Sequence, residues 1–234
     1  MTPRRAAERR AGPAAAGLPG WRWLAGAGLV YVLSWIIGLI IGFATSSPSA
    51  SDTPQQIGAY FNSHRQLAML QGYLVDGVAG VALIAFVAAL RGVFERVDDE
   101  TGPLPRILFG AGIAAGAVSL LQGLFTQVLA DRVAAMGDAA AIRALYDLNT
   151  EGDTYKLLAL GVFFGAAAIL ILRTRALPTW LGWVAAVLAP LLIVAGWNFV
   201  LGTSTQYAAY AVLLIVLLIW VAAVSVVAWQ RRMR

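Results

Sequence analysis

Long apolar runs, separated by short polar segments, dominate the chain. The first covers about residues 23–43, which is longer than the core of a signal peptide and is typical of an uncleaved membrane span. Five more runs follow, at residues 67–90, 107–130, 154–172, 179–201 and 207–229. Because a helix needs about 20 predominantly apolar residues to cross a bilayer, the pattern predicts an all-α integral membrane protein, a bundle of six transmembrane helices.

The composition agrees with this pattern. The chain is 60% hydrophobic and 12% charged, whereas soluble domains average roughly 45–50% and 25%. Its 234 residues suffice for about six spans with short loops and leave no room for a separate soluble catalytic domain. We therefore expect a disordered basic cytosolic tail at residues 1–20, a transmembrane domain at 21–230 that contacts the lipid bilayer, and a basic cytosolic tail at 231–234.

The distribution of basic residues predicts the orientation of the bundle. With six spans, only four of the 17 basic residues fall on one side of the membrane, namely Arg65, Arg132, Arg143 and Lys156. The remainder fall on the side that also holds both termini. Loops rich in Lys and Arg stay in the cytosol, so both termini are expected there (N-in and C-in).

The first loop on the outer side, SASDTPQQIGAYFNSH, has the pattern of a short helix lying in the membrane interface. Ser51 or Asp52 can cap its N-terminus, and Pro54 fits its first turn. Its apolar face would consist of Ile57, Tyr60 and Phe61.

A second outer segment, GDAAAIRALYDLN, repeats this pattern with Asp138 as the cap. Its apolar stripe would consist of Ile142, Leu145 and Tyr146. We interpret both segments as short extracytoplasmic interfacial helices. They act either as lids packed over helix ends or as gates of an outer cavity.

Asp76 is a carboxylate inside the second apolar run, QGYLVDGVAGVALIAFVAAL. It lies about ten residues after the outer end of that span, so at about 1.5 Å per residue it is close to the bilayer midplane. A charge at this depth costs at least about 2.5 kcal/mol and must face the bundle interior or be protonated. Gly72 and Gly80, one turn away on either side, allow another helix to approach, and Tyr73 can offer a hydroxyl.

Further polar residues are predicted in the outer half of the bundle, where Gln122 lies near the depth of Asp76. The ligand-binding or coupling candidates beside Asp76 and Tyr73 are Gln122, Thr126, Gln127, Asn198 and Lys156. Lys156 is expected to extend its amine outward to the surface rather than to pair with Asp76. The inner half carries no titratable group, so the pattern predicts a polar pocket that opens outward.

Several kinds of chemistry are absent from the sequence. There is no cysteine, and His64 is the single histidine, so a His and Cys zinc site cannot form and no metal or cofactor is expected. No nucleotide-binding or nucleic-acid-binding motif is present, so no nucleic-acid partner is expected.

The stretches YFNSHRQLAMLQGYLVDGVAGVALIAFVAALR, IRALYDLN and LRTRALPTWLGW resemble a group of uncharacterised six-span integral membrane proteins common in actinobacteria, classed as a domain of unknown function. The similarity covers about residues 57–200. It implies the six-span topology and a location in the bacterial cytoplasmic (inner) membrane. It implies no activity and no site residues.

The sequence leaves three functions open. We expect a non-enzymatic binding, sensing or accessory protein with an outward-facing polar pocket around Asp76. A small proton-coupled transporter that uses Asp76 is the alternative, and an intramembrane lipid- or isoprenoid-modifying enzyme is the third hypothesis. Asp76 can equally be a packing element whose carboxylate is hydrogen-bonded by Gln122 or Tyr73.

Two helix faces consist of small residues, one with Gly72 and Gly80 and the other with Gly112 and Gly116. They can serve internal packing, homo-oligomerisation or contact with a membrane protein partner.

Overall fold

The structure is a computed structural model that describes residues 19–96, 102–197 and 203–232. These residues form helices and no strand. The helices are α1 (Pro19–Thr45), α2 (Pro54–Ser63), α3 (Arg65–Gly72), α4 (Ala79–Glu95), α5 (Leu104–Val128), α6 (Ala134–Met136), α7 (Ala139–Thr174), α8 (Thr179–Ala195) and α9 (Thr203–Arg232). Of the two predicted tails, residues 1–18 and 233–234 lie outside the described residues, and the others are helical.

Five helical segments of the described chain are long and apolar enough to cross a membrane. They are Gly20–Thr45, Arg65–Glu95, Leu104–Met136, Ala139–Thr174 and Tyr210–Arg231. Helix α8, at the position of the predicted fifth span, is apolar but has 17 residues. Large apolar side chains such as Ile40, Phe43 and Ile219 point away from the bundle, as they do on a surface that contacts lipid. These features support a membrane protein, and the count of six spans stays a prediction.

The predicted short helix in the first outer loop is present as α2, but its cap differs. Thr53, rather than Ser51 or Asp52, is the N-cap, and it forms a capping box with Gln56. A threonine followed three residues later by glutamine satisfies two otherwise free backbone N–H groups, whereas Asp52 accepts a hydrogen bond from the Ser49 N–H. Pro54 occupies the first turn as expected.

The second predicted interfacial helix is not a separate element, so that prediction is wrong. Asp138 does cap a helix, by accepting from the N–H groups of Ala140 and Ala141. That helix, α7, then continues without interruption for 36 residues. Gly137, which has a φ of 70°, ends α6 in the left-handed conformation that glycine tolerates best. A two-residue turn therefore links the third and fourth long helices directly.

Helix α2 and the first turns of α7 pack together as a cap over one end of the bundle. The apolar face of α2 consists of the predicted residues, Ile57, Tyr60 and Phe61, and it is buried against protein. Its cluster includes Ile57, Phe61, Leu129 and Ile142. The Tyr146 hydroxyl donates to the Pro48 carbonyl at 2.7 Å, which ties α7 to the loop before α2. These contacts agree with the prediction of lids packed over helix ends.

The second span is continuous but not regular, because a π-helical turn, Tyr73–Val78, joins α3 to α4. A second π-helical turn, Leu129–Val133, joins α5 to α6. A π-helical turn holds one residue more than an α-helical turn, and such turns are frequent at functional sites. The turn in the second span contains Asp76.

The two small-residue faces pack on one another inside the bundle. A Cβ atom at Gly116 would lie 3.0 Å from the Gly80 carbonyl oxygen, and one at Gly123 would lie 3.1 Å from the Asp76 Cβ. The glycines therefore allow α5 to approach the second span closely. Internal packing accounts for these faces, and they give homo-oligomerisation no support.

Replacing Gly116 with leucine is expected to destabilise the fold by about 2 kcal/mol, because even a Cβ atom there would lie 2.6 Å from Ile84 Cγ1. Gly110→Leu is the matched control, since this glycine lies on the same helix with nothing within 4 Å of an added Cβ. Thermal unfolding in nanodiscs, followed by tryptophan fluorescence, measures both variants. Equal melting temperatures for the two variants would contradict the close helix contact.

Large aromatic side chains fill the core further along the bundle from the cap. Phe86, Phe163, Phe164 and Trp220 are each at most 1% exposed and meet edge to face. The Trp220 indole N–H donates to the Leu181 carbonyl at 2.9 Å, so its one polar atom is satisfied. This cluster closes the bundle on the side away from the cap.

Candidate functional site

A polar cavity of about 220 Å³ lies beneath the cap. Its walls come from α1, the loop before α2, α2 itself, the second span, α5 and α7. Of the residues predicted for the site, four line this cavity: Asp76, Gln122, Thr126 and Lys156. These four residues therefore share one polar cavity at the capped end of the bundle.

Asp76 faces the bundle interior, as the sequence predicts, and is 9% exposed. Gly123 on α5 packs against its Cβ atom, which fixes the side chain between the two helices. Asp76 makes no hydrogen bond with any other described residue, and its oxygens are open to the cavity rather than sealed in protein. A buried carboxylate normally accepts several hydrogen bonds. The suggested packing role, in which Gln122 or Tyr73 satisfies Asp76, is not supported by this geometry.

Gln122 is the centre of a hydrogen-bond network on the opposite wall. Its Nε2 donates to the Asn149 carbonyl at 2.6 Å and to Asp153 Oδ1 at 3.0 Å. Its Oε1 accepts from Lys156 Nζ at 2.7 Å. The Asn149 Nδ2 in turn donates to the Gln122 carbonyl and to Thr126 Oγ1, both at 2.9 Å. The network connects α5 to α7, and both amide hydrogens of Gln122 and both of Asn149 are donated within it.

Lys156 is buried, so the expectation that its amine extends to the surface is wrong. The side chain is 8% exposed, and its Nζ lies 2.7 Å from both Gln122 Oε1 and Asp153 Oδ1. The ammonium also lies 5.8 Å from the centre of the Trp35 ring, within the range of a cation–π contact. An inward direction is favourable because Asp153 and Gln122 solvate the charge inside the bundle.

Sequence reasoning missed Asn149 and Asp153, which line the cavity beside Lys156. The three side chains are four and then three residues apart, so they share one face of a helix. That signal is visible only if one helix covers all three positions. The sequence interpretation placed Asn149 at the end of a separate short interfacial helix, whereas α7 runs from Ala139 through all three positions.

Three predicted site residues do not join the cavity. Tyr73 is 61% exposed and lines an apolar groove between α1 and the second span, because the π-helical turn rotates it away from Asp76. Gln127 donates to the Met69 carbonyl at 2.7 Å and so fastens α5 to α3. Asn198 lies outside the described residues.

A second, mostly apolar cavity of about 200 Å³ lies beyond the polar one. The two cavities share three wall residues, Trp35, Asp153 and Lys156. Leucines from α7, α8 and α9 form much of the second cavity, including Leu157, Leu192 and Leu214. The charged residues therefore stand between a polar and an apolar compartment.

The chemistry available in the polar cavity is limited. The described part of the chain contains no group of three or more His, Cys, Asp or Glu residues that could hold a metal ion. The cavity instead offers an open carboxylate, a buried ammonium ion and aromatic walls. Such an arrangement can bind a solute through charge and hydrogen bonds.

No protein-family model, no curated protein and no solved structure matches the chain. What the cavity does is therefore inferred from its geometry.

Proposed function

We propose that the protein binds a small solute in the polar cavity and acts as a binding, sensing or accessory protein of the bacterial cytoplasmic membrane. In this proposal α8 also crosses the membrane, as the fifth of six spans, and both termini lie in the cytosol. The capped end then faces outward, so the cavity receives its solute from outside the cell. The arrangement of basic residues supports this orientation, since Arg91, Arg96, Arg173 and Arg175 lie at the other end of the bundle.

The observation that carries the proposal is the state of Asp76. A buried carboxylate loses the solvation it had in water, and Asp76 gains no hydrogen bond from the described residues in return. A residue that only held two helices together would be expected to make the hydrogen bonds that are available. A carboxylate that faces a cavity can instead recover this loss by binding a solute.

The aromatic core supports binding over conduction. Trp220 and Phe86 are fully packed where a path to the other side of the membrane would have to pass. A transporter must open this region at some stage of its cycle. A proton-coupled transporter remains the second candidate, because Asp76 lies in a π-helical turn that breaks the regularity of its span. The lipid-modifying enzyme is third, supported by the second carboxylate, Asp153, in the same cavity.

Cysteine labelling tests whether the cavity is reached from outside. The chain has no cysteine, so Thr126→Cys creates a single thiol on the cavity wall. In intact cells we expect small membrane-impermeant methanethiosulfonate reagents to modify it. Glu95→Cys, at the far end of the second span, should react only after the membrane is permeabilised. Ala167→Cys, which is 0% exposed, should not react in the folded protein.

Two results would contradict the proposal. If the thiol of the Thr126→Cys variant stays unmodified by every reagent while the folded protein is present, the cavity is not accessible to solutes. If the Thr126→Cys variant reacts only in permeabilised cells and the Glu95→Cys variant reacts in intact ones, the bundle has the opposite orientation.

A further inference from the structure

The charges of the polar cavity do not balance. Two carboxylates and one ammonium ion line it, and no other charged side chain does so among the described residues. Lys156 is paired with Asp153 at 2.7 Å, so it is committed to that carboxylate. Asp76 forms no ion pair of this kind and interacts with Lys156 only at longer range, so the described walls carry one negative charge in excess.

Most hydrogen-bond donors of the walls are already used within the protein. Both amide hydrogens of Gln122 and both of Asn149 go to acceptors within the protein. The Lys156 ammonium donates to two wall atoms, and the Gln71 amide donates to the Gly38 carbonyl. The open group in the cavity is an acceptor, Asp76. An anionic solute would meet a carboxylate and walls whose donors are mostly occupied, whereas a cationic solute finds in Asp76 an acceptor that no described residue uses.

Aromatic residues form a large part of the remaining wall of the cavity. Trp35, Tyr60, Phe61 and Tyr146 line it together with Asp76. A carboxylate combined with aromatic faces attracts organic ammonium ions, because ring faces are negative and contact N-methyl or N-methylene groups favourably. A bare metal ion would need several oxygen ligands instead. The aromatic wall therefore favours an organic cation.

The apolar cavity beyond Trp35 extends the site. Trp35 belongs to both compartments, and leucines surround the second one. A ligand with a charged head against Asp76 can place an apolar substituent along the Trp35 ring toward these leucines. Each part of such a molecule would meet walls of matching polarity.

We propose that the solute of this cavity is an organic monocation, an ammonium ion that carries an apolar substituent, bound by Asp76 and the aromatic wall. This inference rests on the proposed binding function and names its ligand class. Asp76 binds the positive head, Trp35 contacts the substituent, and the Lys156–Asp153 pair keeps the opposite wall rigid and closed to anions.

Binding of benzyltrimethylammonium tests the proposal on the full chain in nanodiscs, measured by tryptophan fluorescence and calorimetry. Its uncharged carbon isostere, neopentylbenzene, is the matched probe. We expect saturable binding of the cation, and binding weaker by about tenfold or more for the isostere and for Asp76→Asn. Glu95→Gln, which removes an acidic group far from the cavity, should bind as the wild type does. Equal binding of both probes, or no binding of the cation, would overturn the assignment.

A second measurement separates this inference from the proposed function and needs no Asp76 variant. Methanethiosulfonate reagents of similar size are available with a trimethylammonium group or with a sulfonate group. For each reagent, the rate of modification of the Thr126→Cys variant is divided by its rate with a free thiol in solution. We expect this relative rate to be about tenfold or more higher for the cationic reagent than for the anionic one. If the two relative rates are equal, the cavity is accessible but does not select cations. This inference then fails while the proposed function stands. If neither reacts, the proposed function fails as well.

Discussion

Replacing Lys156 with methionine is expected to destabilise the folded protein by about 2–3 kcal/mol. The substitution keeps the shape of the side chain but removes the ammonium ion that Asp153 and Gln122 surround. Breaking a buried ion pair by removing one partner leaves a buried charge without compensation, which costs about 3–5 kcal/mol. The loss of stability should be smaller than this for Lys156→Met, because the Asp153 side chain is 38% exposed and retains part of its hydration. Thermal and denaturant unfolding in nanodiscs measure the loss.

A double-variant comparison identifies the cause of this loss. Adding Asp153→Asn to Lys156→Met removes the uncompensated charge, so we expect the double variant to be more stable than Lys156→Met alone. Arg132→Met is the matched control. That arginine is 77% exposed, and its loss should change the stability by less than about 0.5 kcal/mol. A Lys156→Met protein as stable as the control would mean that the amine is not held in the network.

Replacing Trp220 with alanine is expected to be the most destabilising single change, at about 3–5 kcal/mol. Trp220 is 1% exposed, and its ring meets Phe86, Phe163 and Phe164 at centroid distances of 6.4, 6.1 and 4.9 Å. Alanine would leave a cavity between α4, α7 and α9 that the surrounding helices fill only in part. Unfolding in nanodiscs, followed by the fluorescence of the remaining tryptophans, measures the change.

Two further variants test the origin of that loss. Trp220→Phe retains most of the ring contacts and loses the hydrogen bond to the Leu181 carbonyl, so a cost of about 1 kcal/mol is expected. Trp183→Ala removes a tryptophan that is 65% exposed and should cost less than Trp220→Ala. If Trp183→Ala and Trp220→Ala were equally destabilising, the aromatic cluster would not be the packed core of the bundle.

The sequence predicted individual helices well where a single local signal decides them. Pro54 and Asp138 mark helix starts that the structure contains, because a cap or a first-turn proline depends on the nearest few residues. The prediction failed for the segment around Leu145 and Tyr146. The polar residues that follow suggested a loop, yet α7 continues through them, since packing against α2 and α5 compensates for their polarity.

The site was predicted only in part, and the reason lies in helix rotation. Asp76 and Gln122 were found because a carboxylate and an amide inside apolar spans must face protein. Tyr73 was misplaced because nothing in the local sequence marks the π-helical turn that rotates it outward. The direction of Lys156 was predicted wrongly because its contacts depend on the packing of two helices. Its amine binds Asp153 on α7 and Gln122 on α5, and Gln122 comes within reach only when α5 and α7 pack together.

The sequence by itself determined that the chain is helical and apolar enough to reside in a membrane, that Asp76 faces inward, and that one end of the bundle is polar. These properties follow from the composition of each segment, since a charge that faces the lipid core is costly and must therefore face protein or water. Only the tertiary structure decided which polar groups meet, which hydrogen bonds form within the walls, and that Asp76 faces the cavity without a hydrogen bond to any described residue. Those outcomes depend on the rotation and depth of each helix, and a shift of a single residue, such as a π-helical turn, changes them.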